Sequence, residues 1–181
     1  MTLSKDWREF LELLNSRGVD YVIVGAQSLA FHGRPRHTGD LDILVRPTPD
    51  NARLLLALLN QFGFEQSSFK ETDFLEPEQI IQLGRIPSRI DLLTSLTGVA
   101  TDEAFDAKVS AIIDGIPVFV LGREALIRNK RAVGRPQDLA DLSALEAQQF
   151  QCRRGLEALR RTTVVPTRTA RTPRQFVLTV V

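Results

Sequence analysis

Two carboxylates stand two residues apart in the run Asp40-Leu41-Asp42-Ile43-Leu44-Val45. On an extended strand, residues i and i+2 share a face. Asp40 and Asp42 would therefore point the same way, while Leu41, Ile43 and Val45 point into the core. Two like charges on one face repel unless a cation sits between them. Hard divalent cations such as Mg²⁺ take oxygen ligands of this kind, together with waters and substrate phosphates. Two such ions roughly 3.5–4 Å apart can clamp the attacking and leaving oxygens of an in-line displacement. A third carboxylate is expected from a neighbouring strand, and Asp91 in Arg89-Ile90-Asp91-Leu92-Leu93 is the best candidate. An unpaired charge in such an apolar run would be costly. Its role would be to bind metal and to orient or deprotonate an attacking hydroxyl. Pairing with Arg89 is the other reading of Asp91.

Gly25 supplies a different chemistry. It ends a β-rich run, Tyr21 to Val24, and leads directly into a helical stretch. A glycine lets backbone approach a phosphate, and a helix start offers free N–H groups with a favourable dipole. The backbone from Gly25 through Ala26 and Gln27 to Ser28 is the candidate phosphate cradle, with Gln27 or Ser28 adding a side-chain donor. The loop before the carboxylates carries Arg34, Arg36 and Thr38, placed to meet nucleotide phosphates. Lys130 and Arg135 could do the same from later in the chain. His32 and His37 lack a third ligand at useful spacing and make no zinc site.

These residues need elements to hold them. Trp7, Phe10, Leu11 and Leu14 mark one face of a helix that Gly18 stops. A short helix runs from Ala26 to His32 and stops at Gly33. Thr48-Pro49-Asp50 opens another, with Leu54, Leu55, Leu58 and Leu59 on its buried side and Gly63 at its end. Residues 66–79 read as a loop or an irregular edge, and strands follow at 80–83 and 89–94. Thr101 is expected to cap a short helix. Asp114-Gly115 between apolar runs predicts a hairpin. Two helices, 122–132 and 136–149, meet at Gly134-Arg135-Pro136. This order implies an α/β or α+β domain with a mixed central sheet flanked by helices and a C-terminal helical pair. Residues 1–120 are taken as the core, 121–149 as a helical appendage, and 150–181 as a flexible basic tail with a final short strand at Phe176 to Val181.

Bulk properties narrow the class. Of the 181 residues, 43% are apolar, enough for a real core. The net charge of +1 is unevenly spread: residues 151–181 carry seven arginines and only Glu157, a net +6, leaving −5 on the rest. A basic segment of that kind can engage nucleic-acid phosphates. One cysteine, Cys152, excludes an internal disulfide and fits a reducing cytoplasm. The N-terminus lacks the apolar stretch of a signal peptide, and no run is long enough to span a membrane.

The run VGAQSLAFHGRPRHTGDLDILV resembles the minimal nucleotidyltransferases of the DNA polymerase β-like superfamily, nearest the AbiE-type toxin forms. Their pattern is an apolar strand, Gly-Gly or Gly-Ser, a helix, a basic loop, Asp-x-Asp, and a later Asp. Gly25 matches the first glycine, Asp40 and Asp42 the pair, and Asp91 the third acid. Ala26 departs from the pattern: it keeps a backbone N–H but lacks a serine hydroxyl. The segment NKRAVGRPQDLADLSALE resembles a helical motif of these proteins, with Lys130, Arg135, Asp138 and Asp141 at its polar positions. The resemblance spans about residues 5–149. It implies a nucleotidyltransferase fold and transfer of a nucleoside monophosphate from an NTP, ATP among them. Mg²⁺, or Mn²⁺, would be held by Asp40, Asp42 and Asp91. The implied acceptor is a hydroxyl of RNA or a protein, with a toxin–antitoxin or phage-defence role and a cognate antitoxin as partner. A small-molecule acceptor such as an antibiotic and a non-catalytic module binding RNA or a partner protein are the alternatives.

Overall fold

A computed structural model describes residues 3–64 and 69–147. The described residues up to Glu146 form one compact unit. The expected tail at 150–181, with its final strand, lies outside the described residues.

The N-terminal helix α1 (Lys5–Ser16) forms where the sequence places it, for reasons visible in its ends. The Ser4 hydroxyl accepts from the Trp7 N–H at 3.2 Å, satisfying one of the free donors of the first turn. Trp7, Phe10, Leu11 and Leu14 are its buried face. Strand β1 (Tyr21–Ile23) leads into α2 (Gly25–Phe31), then β2 (Asp40–Val45) and α3 (Pro49–Leu59). Thr48 caps α3 and Pro49 occupies its first turn, where a missing N–H is harmless. A π turn, Asn60–Phe64, follows. The region expected as loop contains a 3₁₀ turn, Glu71–Phe74, anchored by the fully buried Phe74. One aromatic among polar neighbours gives no periodicity to read.

Strands β3 (Ile80–Leu83) and β4 (Arg89–Leu93) form a hairpin, and α4 (Thr101–Asp106) follows. Thr101 is the first residue inside α4; Ala100 holds the cap position, without a side-chain bond, which corrects the expected threonine cap. Strands β5 (Val109–Ile113) and β6 (Ile116–Val120) pair around Asp114-Gly115. Both turn residues have positive φ, 51° and 83°, as the tight hairpin turn requires. Helix α5 (Arg123–Val133) and helix α6 (136–147) complete the described chain.

The six strands form one mixed sheet in the order β3-β4-β2-β1-β6-β5. β1 runs antiparallel to β2 and parallel to β6, and β2 runs parallel to β4. Alternation along the strands serves two cores. Tyr21, Ile23, Leu41, Ile43, Val45, Ile90 and Leu92 pack with α1 and α3. Val22, Val24 and Leu44 pack with α2, α4, α5 and α6. The period of two that buries Leu41 and Ile43 in the first core places Asp40 and Asp42 on the opposite face, at the start of β2. The fold is thus the mixed α/β sheet expected, with α5 and α6 as the C-terminal pair. None of the described helices is long and apolar enough to cross a membrane.

Candidate active site

β2 and β4 lie side by side with Asp40 opposite Arg89 and Asp42 opposite Asp91. Neighbouring strands are about 4.8 Å apart, so this register alone gathers the carboxylates. One oxygen from each of Asp40, Asp42 and Asp91 falls within 4.8 Å of the others. Because β1 is antiparallel to β2, its C-terminal end arrives beside the start of β2. The Val24 N–H donates to the Asp42 carbonyl at 3.0 Å, which closes this end of the ladder.

Gly25 is the next residue, and its φ of 58° is left-handed. A Cβ there would stand 1.9 Å from Asp42 Oδ2. Only glycine combines that dihedral with that approach. The link between the two sequence signals, glycine turn and Asp-x-Asp, is therefore a direct backbone-to-carboxylate contact.

The three carboxylates differ in their surroundings. The Arg89 guanidinium reaches both oxygens of Asp91, Nε at 2.9 Å and Nη2 at 3.0 Å, and also Asp40 Oδ2 at 2.7 Å. The Thr38 hydroxyl donates to Asp40 Oδ1. The Asp42 carboxylate accepts no hydrogen bond among the described residues. Burial, then the charges of Asp40 and Asp91, push its pKa up to about 6 against the opposing pull of Arg36 and Arg89. Asp91 is thus both clustered with the other acids and paired with Arg89. The donor set consists of hard oxygens on two adjacent strands, with one carboxylate lacking any donor among the described residues. That set fits a small divalent cation.

A second charged cluster ties α5 and α6 to this edge. Lys130 is 3% exposed, and its ammonium donates to Asp138 Oδ1 at 3.1 Å and Asp141 Oδ2 at 2.7 Å. Arg135 donates to Asp138 through Nε at 2.6 Å. Arg36 Nε lies 3.4 Å from Asp141 Oδ2, and that buried nitrogen makes no hydrogen bond. Burial raises the Asp138 pKa, but the hydrogen bonds from Arg135 and Lys130 outweigh it and hold the group below the usual carboxylate value.

Of the residues singled out from the sequence, the structure brings together Asp40, Asp42, Asp91, Gly25 and Thr38, with Arg36 near enough to act on Asp42 electrostatically. Others face elsewhere. The Ser28 hydroxyl is fully buried and donates to the Leu121 carbonyl at 3.0 Å, and its N–H bonds back to Val24. Gln27 is 4% exposed and lines a small cavity with Phe31, Ile112 and Asp114. Ala26 is buried. Arg34 donates to the Ala144 carbonyl at 3.1 Å, a strut between the loop and α6. Ser28 and Lys130, expected to meet phosphates, make structural contacts here, while the buried Gln27 Oε1 has no hydrogen-bond partner among the described residues. Periodicity cannot reveal which polar side chains of a helix start turn inward.

Sequence reasoning missed the cleft beside the acids. It is about 670 Å³ in volume and runs from Gly25 and Asp42 past Leu93 to the turn after β4 and the face of α5. Its far wall is Leu96, Thr97, Gly98, Asn129 and Val133. Asn129 Nδ2 donates to the Thr97 carbonyl at 2.9 Å, and Gly98 packs on Ala132, which pins this wall. Gly98 was the available signal, yet a lone glycine in a polar turn has many uses.

A family model described as "nucleotidyl transferase of unknown function" matches residues 3–165. No curated protein matches the sequence at a significant level. Among solved structures, an antigenic nucleotidyltransferase-like protein from Paracoccidioides brasiliensis is similar, with 15% identity, a TM-score of 0.50, and coverage of 79% of this chain and 77% of that one. A candidate nucleotidyltransferase from Thermotoga maritima gives 14% identity and a TM-score of 0.48, covering 84% of this chain and 96% of that one. ANT(2″)-Ia in complex with adenylyl-2″-tobramycin gives 14% identity and a TM-score of 0.48, covering 88% and 97%. At such identities the likeness concerns the fold alone.

Proposed function

The chain belongs to the family described as nucleotidyl transferase of unknown function and is a nucleotidyltransferase; on that premise we propose that it moves a nucleoside monophosphate from an NTP to a hydroxyl of RNA or protein, with Mg²⁺ held by Asp40, Asp42 and Asp91. The observation that carries this reading is the convergence of the three carboxylates within 4.8 Å, one of them without a donor among the described residues. In the reaction, the acceptor oxygen forms a bond to the α-phosphorus of the NTP. The bond from that phosphorus to the β-phosphate bridging oxygen breaks, and pyrophosphate leaves with the bonding pair.

Each residue has a task in this reading. Asp40 is oriented by Thr38 and Arg89, Asp42 is held against the Gly25 backbone, and Asp91 is fixed by the Arg89 fork. Bound there, Mg²⁺ would polarise the α-phosphate and offset charge developing on the leaving group. Asp91 takes the hydroxyl proton, since each of its oxygens keeps a lone pair beyond the Arg89 bonds. Arg36 and Arg135, both acting electrostatically on this cluster, meet the negative charge of the triphosphate. The backbone at Gly25 and Ala26 approaches a phosphate more closely than any side chain could. The cleft running from Asp42 to Val133 receives the nucleoside or the acceptor end. A toxin or phage-defence role, with a cognate antitoxin, extends this reading through the resemblance to the AbiE-type forms.

The test is label transfer. The full chain is incubated with each α-³²P-labelled NTP, Mg²⁺, total cellular RNA and lysate protein, beside the double variant Asp40→Ala/Asp42→Ala. Labelled macromolecule from the wild type alone supports the proposal, and its nuclease or protease sensitivity assigns the acceptor. Absence of transfer together with absence of Mg²⁺-dependent NTP binding by calorimetry overturns it.

A further inference from the structure

We infer that Arg89 is a built-in counter-cation that competes with the divalent ion for Asp40 and Asp91, so that it sets how tightly the centre takes metal. The inference rests on the proposed metal-binding role of the three acids.

Arg89 and Asp91 are two apart on β4 and therefore share a face, and the β2–β4 register puts Asp40 directly opposite Arg89. Backbone geometry alone delivers the guanidinium to two of the three acids. Its carbonyl accepts from Trp7 Nε1 at 3.1 Å, which anchors this strand end to α1. The guanidinium then spends Nε and Nη2 on Asp91 and shares Nη2 with Asp40. A planar fork on a carboxylate is among the stronger charge-assisted pairings. With the Thr38 hydroxyl on the remaining Asp40 oxygen, every oxygen of Asp40 and Asp91 has a protein donor. Asp42 has none among the described residues.

Two consequences follow. The positive charge at Arg89 offsets the mutual repulsion of three acids gathered within 4.8 Å, so the cluster is tolerated in the fold without metal. The same charge repels an entering cation and holds lone pairs that the cation would use. A residue that served only to orient Asp40 and Asp91 would weaken metal binding when removed. A competing counter-ion would tighten it, and the sign of the change separates the two roles.

The experiment counts and titrates Mn²⁺ by electron paramagnetic resonance on the full chain without nucleotide, for wild type, Arg89→Gln, Arg89→Lys and Asp42→Asn. The expected result is Mn²⁺ binding to wild type that Asp42→Asn abolishes, and at least about tenfold tighter binding to Arg89→Gln. Arg89→Lys, which keeps the charge but not the fork, should stay within about threefold of wild type. Unchanged or weaker binding in a folded Arg89→Gln, verified by circular dichroism, overturns the inference while leaving the metal site standing. If Arg89→Gln does not fold, Arg89→Lys carries the test alone: Mn²⁺ binding at least about tenfold weaker than wild type overturns the inference. An absence of Mn²⁺ binding by wild type at millimolar concentration overturns the proposed metal centre itself.

Discussion

Asp42, half-buried, and Asp138, buried, are the same residue type, and their surroundings drive them in opposite directions. Asp42 stands beside two other carboxylates without a donor of its own among the described residues, and its pKa rises to about 6. Asp138 is met by Lys130 and Arg135, and its pKa falls below the ordinary value of 3.8. The first cluster gathers three acids around one guanidinium. The second sets two acids against Lys130, Arg135 and Arg36. Paired charge holds α5 and α6 to the rim of the sheet, whereas surplus negative charge is what a cation and a triphosphate can complete. Polar burial alone does not mark a site; the balance of charge within it does.

The largest expected effect would break the comparison at Asp42. Asp42→Asn should reduce nucleotide transfer by about 10³-fold or more, since a carboxylate ligand to the metal is lost. In the label-transfer assay, retention of a tenth of wild-type activity would contradict the role given to Asp42. The counterpart lies in the second cluster. Lys130→Met leaves Asp138 and Asp141 buried without their shared cation and should cost about 3–5 kcal/mol, read as a lowered urea midpoint. Adding Asp138→Asn and Asp141→Asn should recover part of that loss. A Lys130→Met protein of undiminished stability that had lost nucleotide binding would instead return Lys130 to the phosphates.

Titration sharpens the contrast. Without metal, native Asp42 takes up its proton at a higher pH than the unfolded chain does. Its ionisation therefore destabilises the fold as pH rises from about 3.8 through about 6, and the loss persists above. Asp138 has the reverse sign, its contribution being full above 3.8 and lost as pH falls through its lower native value. In EDTA, thermal melts of Asp42→Asn and wild type should diverge across that upper window, with the variant more stable at pH 7 by on the order of 2 kcal/mol. Mg²⁺ should narrow the gap. Parallel melts from pH 4 to 7 would contradict the unpaired state of Asp42.

Smaller effects probe the first turn of α2. Gly25→Ala should cost about 1–2 kcal/mol through its dihedral and weaken Mn²⁺ binding by crowding Asp42. Ser28→Ala should cost about 1 kcal/mol, from the bond to Leu121, and leave nucleotide affinity unchanged. A nucleotide-binding defect in Ser28→Ala would instead support the phosphate role read from the sequence.

Much of the fold was legible because its signals are local. The buried face of α1, the Pro49 start of α3, the Asp114-Gly115 hairpin and the alternation of β2 each depend on neighbours a few residues away. The anchor at Phe74 and the uncapped start of α4 were not, since their causes are tertiary contacts or the absence of a local one. The same division runs through the site. Asp40 and Asp42 share a face by strand geometry alone, and Gly25 announces itself by ending an apolar run.

The sequence by itself determined that two carboxylates must lie side by side on a strand with a basic loop before them, because the period of two leaves no other arrangement. Only the tertiary structure decided that Asp91 stands opposite Asp42, that Gly25 touches Asp42, and that Arg89 bridges Asp40 and Asp91 while Lys130 is spent on Asp138 and Asp141. Those are matters of strand order and helix docking. They are set by how two apolar cores close on either side of the sheet, which local spacing does not encode.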